Sequence, residues 1–153
     1  MVTDIQREKL DEALFQALRG IYRFERVKVD LFGLSYDGIY LLQYLRRHAS
    51  ARMTSIAEEM KVPISTLTRL ADRLEKKGFI SRTRDPDDMR KIRLALESAG
   101  DQIVNDIENH TFSILKSNLA GFDDNNFNSF LETALAIGDL FDMSSITTDD
   151  QCK

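Results

Sequence analysis

The sequence holds one cysteine, two prolines and no tryptophan in 153 residues. The single thiol, Cys152, cannot build a disulfide framework or a cysteine metal cluster. The two histidines, His48 and His110, lie 62 positions apart, so no metal site is expected. The seven glycines form no phosphate-cradling loop, and no nucleophile stands beside a base at a recognisable spacing. An enzyme is therefore not expected, nor is a cofactor. Long apolar runs are also missing: the longest uncharged apolar-rich stretch in the first half, Gly38 to Leu45, falls far short of the ~20 residues of a membrane span. The opening MVTDIQREKLDE is charged and amphipathic rather than basic and then apolar, so export is not expected and a cytoplasmic location is. There is no internal repeat and no low-complexity tract.

What is present suits one soluble domain. Apolar residues make up 42% of the chain and charged residues 30%, and about 150 residues bury roughly 68–70% of their unfolded surface without staples. The net charge of −4 speaks mildly against a polyanionic partner. Its distribution says the opposite. Residues 1–45 are net −1; residues 46–93 carry 13 basic and seven acidic side chains, net +6; residues 94–153 are net −9. A basic middle beside an acidic end has the layout of a polyanion-binding segment, although a chance cluster on a solvated face has the same count.

Periodicity orders the elements. Thr3 with Gln6 reads as a capping box, and Leu10, Leu14, Ala17 or Leu18, Ile21 and Phe24 continue as one helical stripe that fades at Asp30–Gly33. Ser35 is an N-cap for a second helix whose Tyr36, Ile39, Tyr40, Leu41, Leu42, Tyr44 and Leu45 cover most of its circumference, the pattern of a buried helix. Thr54 is read as capping a short third helix with Ile56, Ala57 and Met60 inward. After a tight connection containing Pro63, a fourth helix places Leu67, Leu70, Ala71 and Leu74 on one face and stops at Lys77-Gly78. At 100° per residue the opposite face carries Ser65, Arg69, Asp72 and Lys76, flanked by Thr68 and Arg73.

Two alternating runs, FISRTR and KIRLAL, follow with the turn-rich DPDDMR between them, which is a β-hairpin with a long charged loop. Gly100 marks a further boundary. Beyond it Ile103, Ile107, Phe112, Ile114, Leu115 and Leu119 make a long helix. Asp123 or Asp124 caps a last one with Phe127, Phe130, Leu131, Ala134, Ile137 and Phe141 as its stripe, and the tail SSITTDDQCK is polar. The fold expected is mainly α with a small β-hairpin wing: a winged helix-turn-helix core flanked by N- and C-terminal dimerisation helices. In such a pair the second helix lies against the major groove and the first crosses the backbone. Ser65, Thr66 and Thr68 near the helix start offer hydroxyls, and Arg69 and Arg73 reach guanine edges or phosphates.

The run PISTLTRLADRLEKKGFISRTRDPDDMRKIRLALESAG resembles the MarR family of winged-helix regulators, closely over roughly residues 30–105. The resemblance implies a single MarR-like domain with its winged DNA-binding core at about 34–98 and dimerisation helices at about 3–31 and 99–143. It also implies a homodimer on a palindromic operator in double-stranded DNA, usually as a repressor. Arg90 then matches a wing-tip arginine that enters the minor groove and Asp88 the acid that braces it. The expected DNA-binding set is Ser65, Thr66, Thr68, Arg69, Arg73, Lys76, Arg84, Asp88, Arg90 and Lys91. Three positions depart from the family pattern: Pro63 at the recognition-helix start, Met89 where a second wing arginine is common, and Glu97 where a threonine commonly caps the next helix.

The resemblance further implies a small phenolic or aromatic carboxylate effector, for which Tyr22, Arg23, Arg26, Tyr36 and Tyr40 are the candidates. The thiol switch of some relatives uses a cysteine near the N-terminus, and this chain has none there. A winged-helix protein–protein adaptor without DNA binding is the alternative, motivated by the overall acidity.

Overall fold

In the computed structural model, residues 6–142 are described; Thr3, the tail from residue 144 and Cys152 lie outside them. The chain forms two compact units, 1–110 and 111–153.

The first unit opens with α1 (Arg7–Phe32), whose N-cap is Gln6 without a side-chain cap bond, so Gln6 starts the helix rather than sitting one turn inside it. Gly33 closes α1 in the left-handed conformation, at φ 62°, donating its N–H to the Val29 carbonyl. α2 (Tyr36–His48) is capped as expected: the Ser35 hydroxyl accepts the Gly38 N–H at 3.2 Å. Ile39, Leu41, Leu42 and Leu45 are buried, but Tyr36 and Tyr40 are exposed, so α2 has one outward edge rather than apolar burial all round.

β1 (Ser50–Arg52), which the sequence pattern missed, leads directly into α3 (Met53–Glu59). Because β1 ends at Arg52, that residue and not Thr54 takes the N-cap position, without a side-chain bond. Ile56 and Ala57 face inward as expected, while Met60 is only partly buried at the C-cap. α4 (Ile64–Lys76) buries Leu67, Leu70, Ala71 and Leu74 and ends at Lys77 and Gly78, the latter at φ 72°. Pro63 is its N-cap, and its carbonyl starts the helix by accepting the Thr66 and Leu67 N–H groups.

β2 (Ile80–Arg84) and β3 (Ile92–Leu96) form the expected hairpin, but the sheet has three strands in the order β1-β3-β2, all antiparallel. α5 (Ser98–Asn118) follows. Gly100 is no boundary: it is buried inside the first turn of α5, against the Phe79 carbonyl. The Asp101 N–H bonds to the Glu97 carbonyl, so the chain enters the helix through backbone bonding where a threonine side chain was the family pattern. One core joins these elements, with Leu41, Leu42, Leu45, Ile56, Leu67, Leu94 and Ile107 at or near zero exposure.

The apolar stripe of α1 does not enter that core. Leu18 is 65% exposed and Ile21 52%, while Val29 and Phe32 at the C-terminal end pack against it. The one buried residue of α1 is Lys28, whose Nζ pairs with Glu25 at 2.6 Å and lies 5.1 Å from the Phe24 ring centroid.

The second unit contains the end of α5, a 3-10 turn (Leu119–Gly121) and α6 (Asp124–Leu140). Asp123 is the N-cap, its carboxylate accepting the Asn126 N–H at 2.8 Å. Phe127, Phe130, Leu131 and Ile137 are exposed, as is Phe141 at the C-cap. None of the helices among the described residues is long and apolar enough to cross a membrane.

Candidate nucleic-acid interface

α3 and α4 form a helix-turn-helix pair, and the β2–β3 hairpin follows α4 after a turn at Lys77-Gly78. Burial of the leucine face leaves Ser65, Thr66, Thr68, Arg69, Arg73 and Lys76 exposed. Among the described residues Arg69, Arg73 and Lys76 enter no ion pair, which leaves their cations open to an external anion. Thr68 differs from Ser65 and Thr66: its hydroxyl donates to the Ile64 carbonyl at 2.8 Å, one turn back along the helix. With Pro63 as N-cap, no side chain caps the first turn of α4. A helix start of this kind attracts phosphate.

The wing loop is folded by its own acids. Asp88 accepts both the backbone N–H and the Nε–H of Arg90 at 3.2 Å and pairs with Lys91 at 3.7 Å. Hydrogen bonding from Arg90 holds the Asp88 carboxyl below the usual carboxylate range, with Lys91 adding to the effect. The Arg90 side chain is 91% exposed, so the brace fixes its base while its tip stays in solvent. Arg84 donates to the Met89 carbonyl at 3.0 Å, and Met89 itself is exposed at the loop tip.

Beneath the loop lies a residue that pattern reading passed over. Asp85 has 0% exposure and accepts from Arg52 Nε at 2.6 Å, Arg52 Nη2 at 3.2 Å and Arg93 Nη1 at 3.0 Å. It also accepts the backbone N–H groups of Asp87 and Asp88, at 3.0 and 3.3 Å. Arg52 and Arg93 are Cα partners across β1 and β3, an arrangement that repels unless an anion sits between the cations. Asp85 is that anion. Its carboxyl is held well below the usual range, first by Arg52 and then by Arg93 and the Asp87 N–H, against the opposing effect of burial. The one sequence signal for it was an aspartate before proline in a turn; the arginine partners come from elsewhere in the chain.

The residues read as effector contacts separate into two places. Tyr22, Arg26 and Tyr36 line a cavity of about 470 Å³ with Leu18, Ile21, Glu25, Val29 and Ser35. Arg23 is not part of its wall. Tyr40 lies in a different cleft, with its hydroxyl donating to Glu59 at 2.8 Å. That bond, aided by burial, raises the Tyr40 pKa and keeps the phenol protonated. His48 ends α2, stacked on Tyr44 with centroids 4.0 Å apart.

Comparison with known proteins places this geometry. Residues 34–92 match the model of the MarR family. The HTH-type transcriptional repressor MdtR of Bacillus subtilis is 41% identical over 69 residues, which cover 45% of this chain and 44% of MdtR. The HTH-type transcriptional regulator SarZ of Staphylococcus saprophyticus is 32% identical over 78 residues, 51% of this chain and 53% of SarZ. The chain thus spans about half the length of the curated relatives it matches. The fold is shared with a MarR family protein from Bacillus stearothermophilus, at TM-score 0.75 and 21% identity over 89% of this chain and 98% of that one. It is shared equally with Streptococcus pneumoniae FabT, solved in complex with DNA, at TM-score 0.73 and 18% identity over 87% and 95% of the two chains.

Proposed function

We propose, from the match of residues 34–92 to the MarR family, that this chain is a MarR-type, sequence-specific DNA-binding transcriptional repressor acting as a homodimer on a palindromic operator. The observation that carries this reading is the coincidence on α4 of Arg69, Arg73 and Lys76, which enter no ion pair among the described residues, with a braced, solvent-projecting Arg90 on the adjoining wing. On this reading α4 enters the major groove, with Arg69 and Arg73 at base edges or phosphates and Ser65, Thr66 and Lys76 at phosphates. Thr68 contributes less, because its hydroxyl is already committed to the Ile64 carbonyl. The wing sets Arg90 in the minor groove, with Arg84 and Lys91 at the flanking backbone.

The winged core at about 34–98 is the DNA-binding part, and the segments at about 3–31 and 99–143, which contain most of α1 and of α5 and all of α6, are the dimerisation part. Large exposed apolar side chains on α1, among them Phe15, Leu18 and Ile21, support a second copy as their cover, as do Leu135 and Leu140 on α6. The cavity beside Tyr22, Arg26 and Tyr36 supports an aromatic carboxylate effector, with Arg26 as the cation and the tyrosine rings as the apolar walls.

Selection of duplexes from a randomised pool, followed by anisotropy titration at several salt concentrations, tests the reading. A palindromic consensus is expected, with Arg69→Ala and Arg90→Ala each weakening binding by roughly 10- to 100-fold while the dimer stays folded. The affinity should fall steeply with salt, in proportion to the phosphates neutralised. Full affinity in both variants would sink the proposal, and salt-independent association with a protein partner instead of DNA would favour an adaptor. For the effector, salicylate is expected to raise the Tm of the wild type and release DNA, and Arg26→Ala to abolish both responses. A thermal shift that persists unchanged in Arg26→Ala would remove this cavity as the site.

A further inference from the structure

Arg82 has no role in DNA contact as described so far, yet its side chain pairs with two acids of α4 at once. From β2 its guanidinium reaches back to α4, with Nη2 2.7 Å from Asp72 Oδ1 and Nη1 2.8 Å from Glu75 Oε2. Nη2 also donates to the Thr68 carbonyl at 3.3 Å. Asp72 and Glu75 stand one helical turn apart, so their carboxylates are neighbours, and the planar fork of a single arginine spans both. Those two are the only acids of α4, and both side chains are substantially exposed, 48% and 39%.

A recognition helix seated between phosphate strands gains from Arg69, Arg73 and Lys76 and loses from any uncompensated carboxylate beside them. The Arg82 side chain is only 24% exposed, against 91% for Arg90, and its three polar contacts all point to α4. Resting on the DNA-binding reading, we propose that Arg82 is a positioning residue that covers Asp72 and Glu75 electrostatically. It ties the first wing strand to the recognition helix without touching DNA itself.

The experiment is a mutant cycle read by anisotropy on the duplex that the wild type selects from the random pool, at a temperature well below every variant's Tm. Arg82→Gln is expected to weaken binding about tenfold by uncovering two carboxylates. Asp72→Asn with Glu75→Gln, in an otherwise wild-type chain, is expected to change affinity by less than about threefold, because those charges are already covered. The same pair of changes in the Arg82→Gln background is expected to restore most of the loss. Arg82→Lys, a point charge unable to fork across both acids, should fall between wild type and Arg82→Gln, and it also serves as the test variant if Arg82→Gln does not fold.

Equal effects of the acid neutralisation in both backgrounds, together with a salt slope lowered by about one in Arg82→Gln, would mean that Arg82 grips a phosphate directly, and would overturn the proposal. Unchanged affinity in Arg82→Gln would overturn it as well. Failure of the wild type to select or bind any duplex would overturn the regulator reading and this inference with it, an outcome distinct from both others.

Discussion

Replacing Asp85 with alanine is expected to lower Tm by roughly 10 °C, the largest loss of any single polar substitution in the wing. The removed carboxylate accepts from two arginines and two backbone N–H groups. Arg52 and Arg93 would then face each other across β1 and β3 with no anion between them. The loop that carries Arg90 hangs from the same group through Asp87 and Asp88, so operator affinity should fall along with Tm, by about tenfold or more.

Asp85→Asn isolates the charge from the shape. Because the folded carboxyl titrates below its unfolded value, the stability it adds is fully present above the ordinary carboxylate pKa of about 3.9 and is lost as pH falls through the lower folded value. The gap in Tm between wild type and Asp85→Asn should therefore stay constant from pH 8 to about 5 and close below about pH 4. A gap that widens in acid, or a variant as stable as wild type at pH 7, would show that the Arg52–Asp85–Arg93 cluster does not hold the wing.

Gly100→Ala should also destabilise strongly, by about 3 kcal/mol, even though Gly to Ala inside a helix ordinarily gains close to 1 kcal/mol. A Cβ at this position would lie 2.0 Å from the Phe79 carbonyl oxygen and 2.9 Å from its carbon. That carbonyl already accepts the Glu97 N–H at 3.0 Å, and the adjoining residue Ile80 is in register with Leu96. Neither backbone moves aside without giving up sheet bonding. Gly20, inside α1, supplies the contrast: a Cβ there meets nothing within 4 Å, and Gly20→Ala should raise stability by about 0.5–1 kcal/mol. Urea titrations of the two variants check the sign. A midpoint for Gly100→Ala at or above that of wild type would mean that α5 and the Phe79 turn are not in contact.

How far the elements were legible depends on how local their determinants are. The leucine spacing of α4 and its Lys77-Gly78 stop are readable because both belong to one helix, and Ser35 and Asp123 announce caps that bond three residues onward. β1 was not readable. Three residues show no alternation, and Ser50–Arg52 is a strand because β3 offers it partners more than 40 positions away. That omission also displaced the cap of α3 from Arg52 to Thr54. Gly100 was misread because glycine at a packed helix–backbone crossing and glycine at a helix end look alike in one dimension.

The candidate site divides along the same line. The cations of α4 and the wing, and the excess of positive charge over residues 46–93, stand in the chain order itself, since a helix face and a hairpin loop are set by neighbours a few positions apart. Which arginines remain available to an external anion was decided only in three dimensions. Arg52 and Arg93 are consumed by Asp85, and Arg82 by Asp72 and Glu75, whereas Arg69 and Arg73 stay unpaired among the described residues and Arg90 is braced outward. A sequence counts these side chains as equal charges. Only packing that joins Arg52 to Asp85 across 33 positions makes some of them structural and leaves the others free to bind, because ion pairing depends on distance in space and not on separation along the chain.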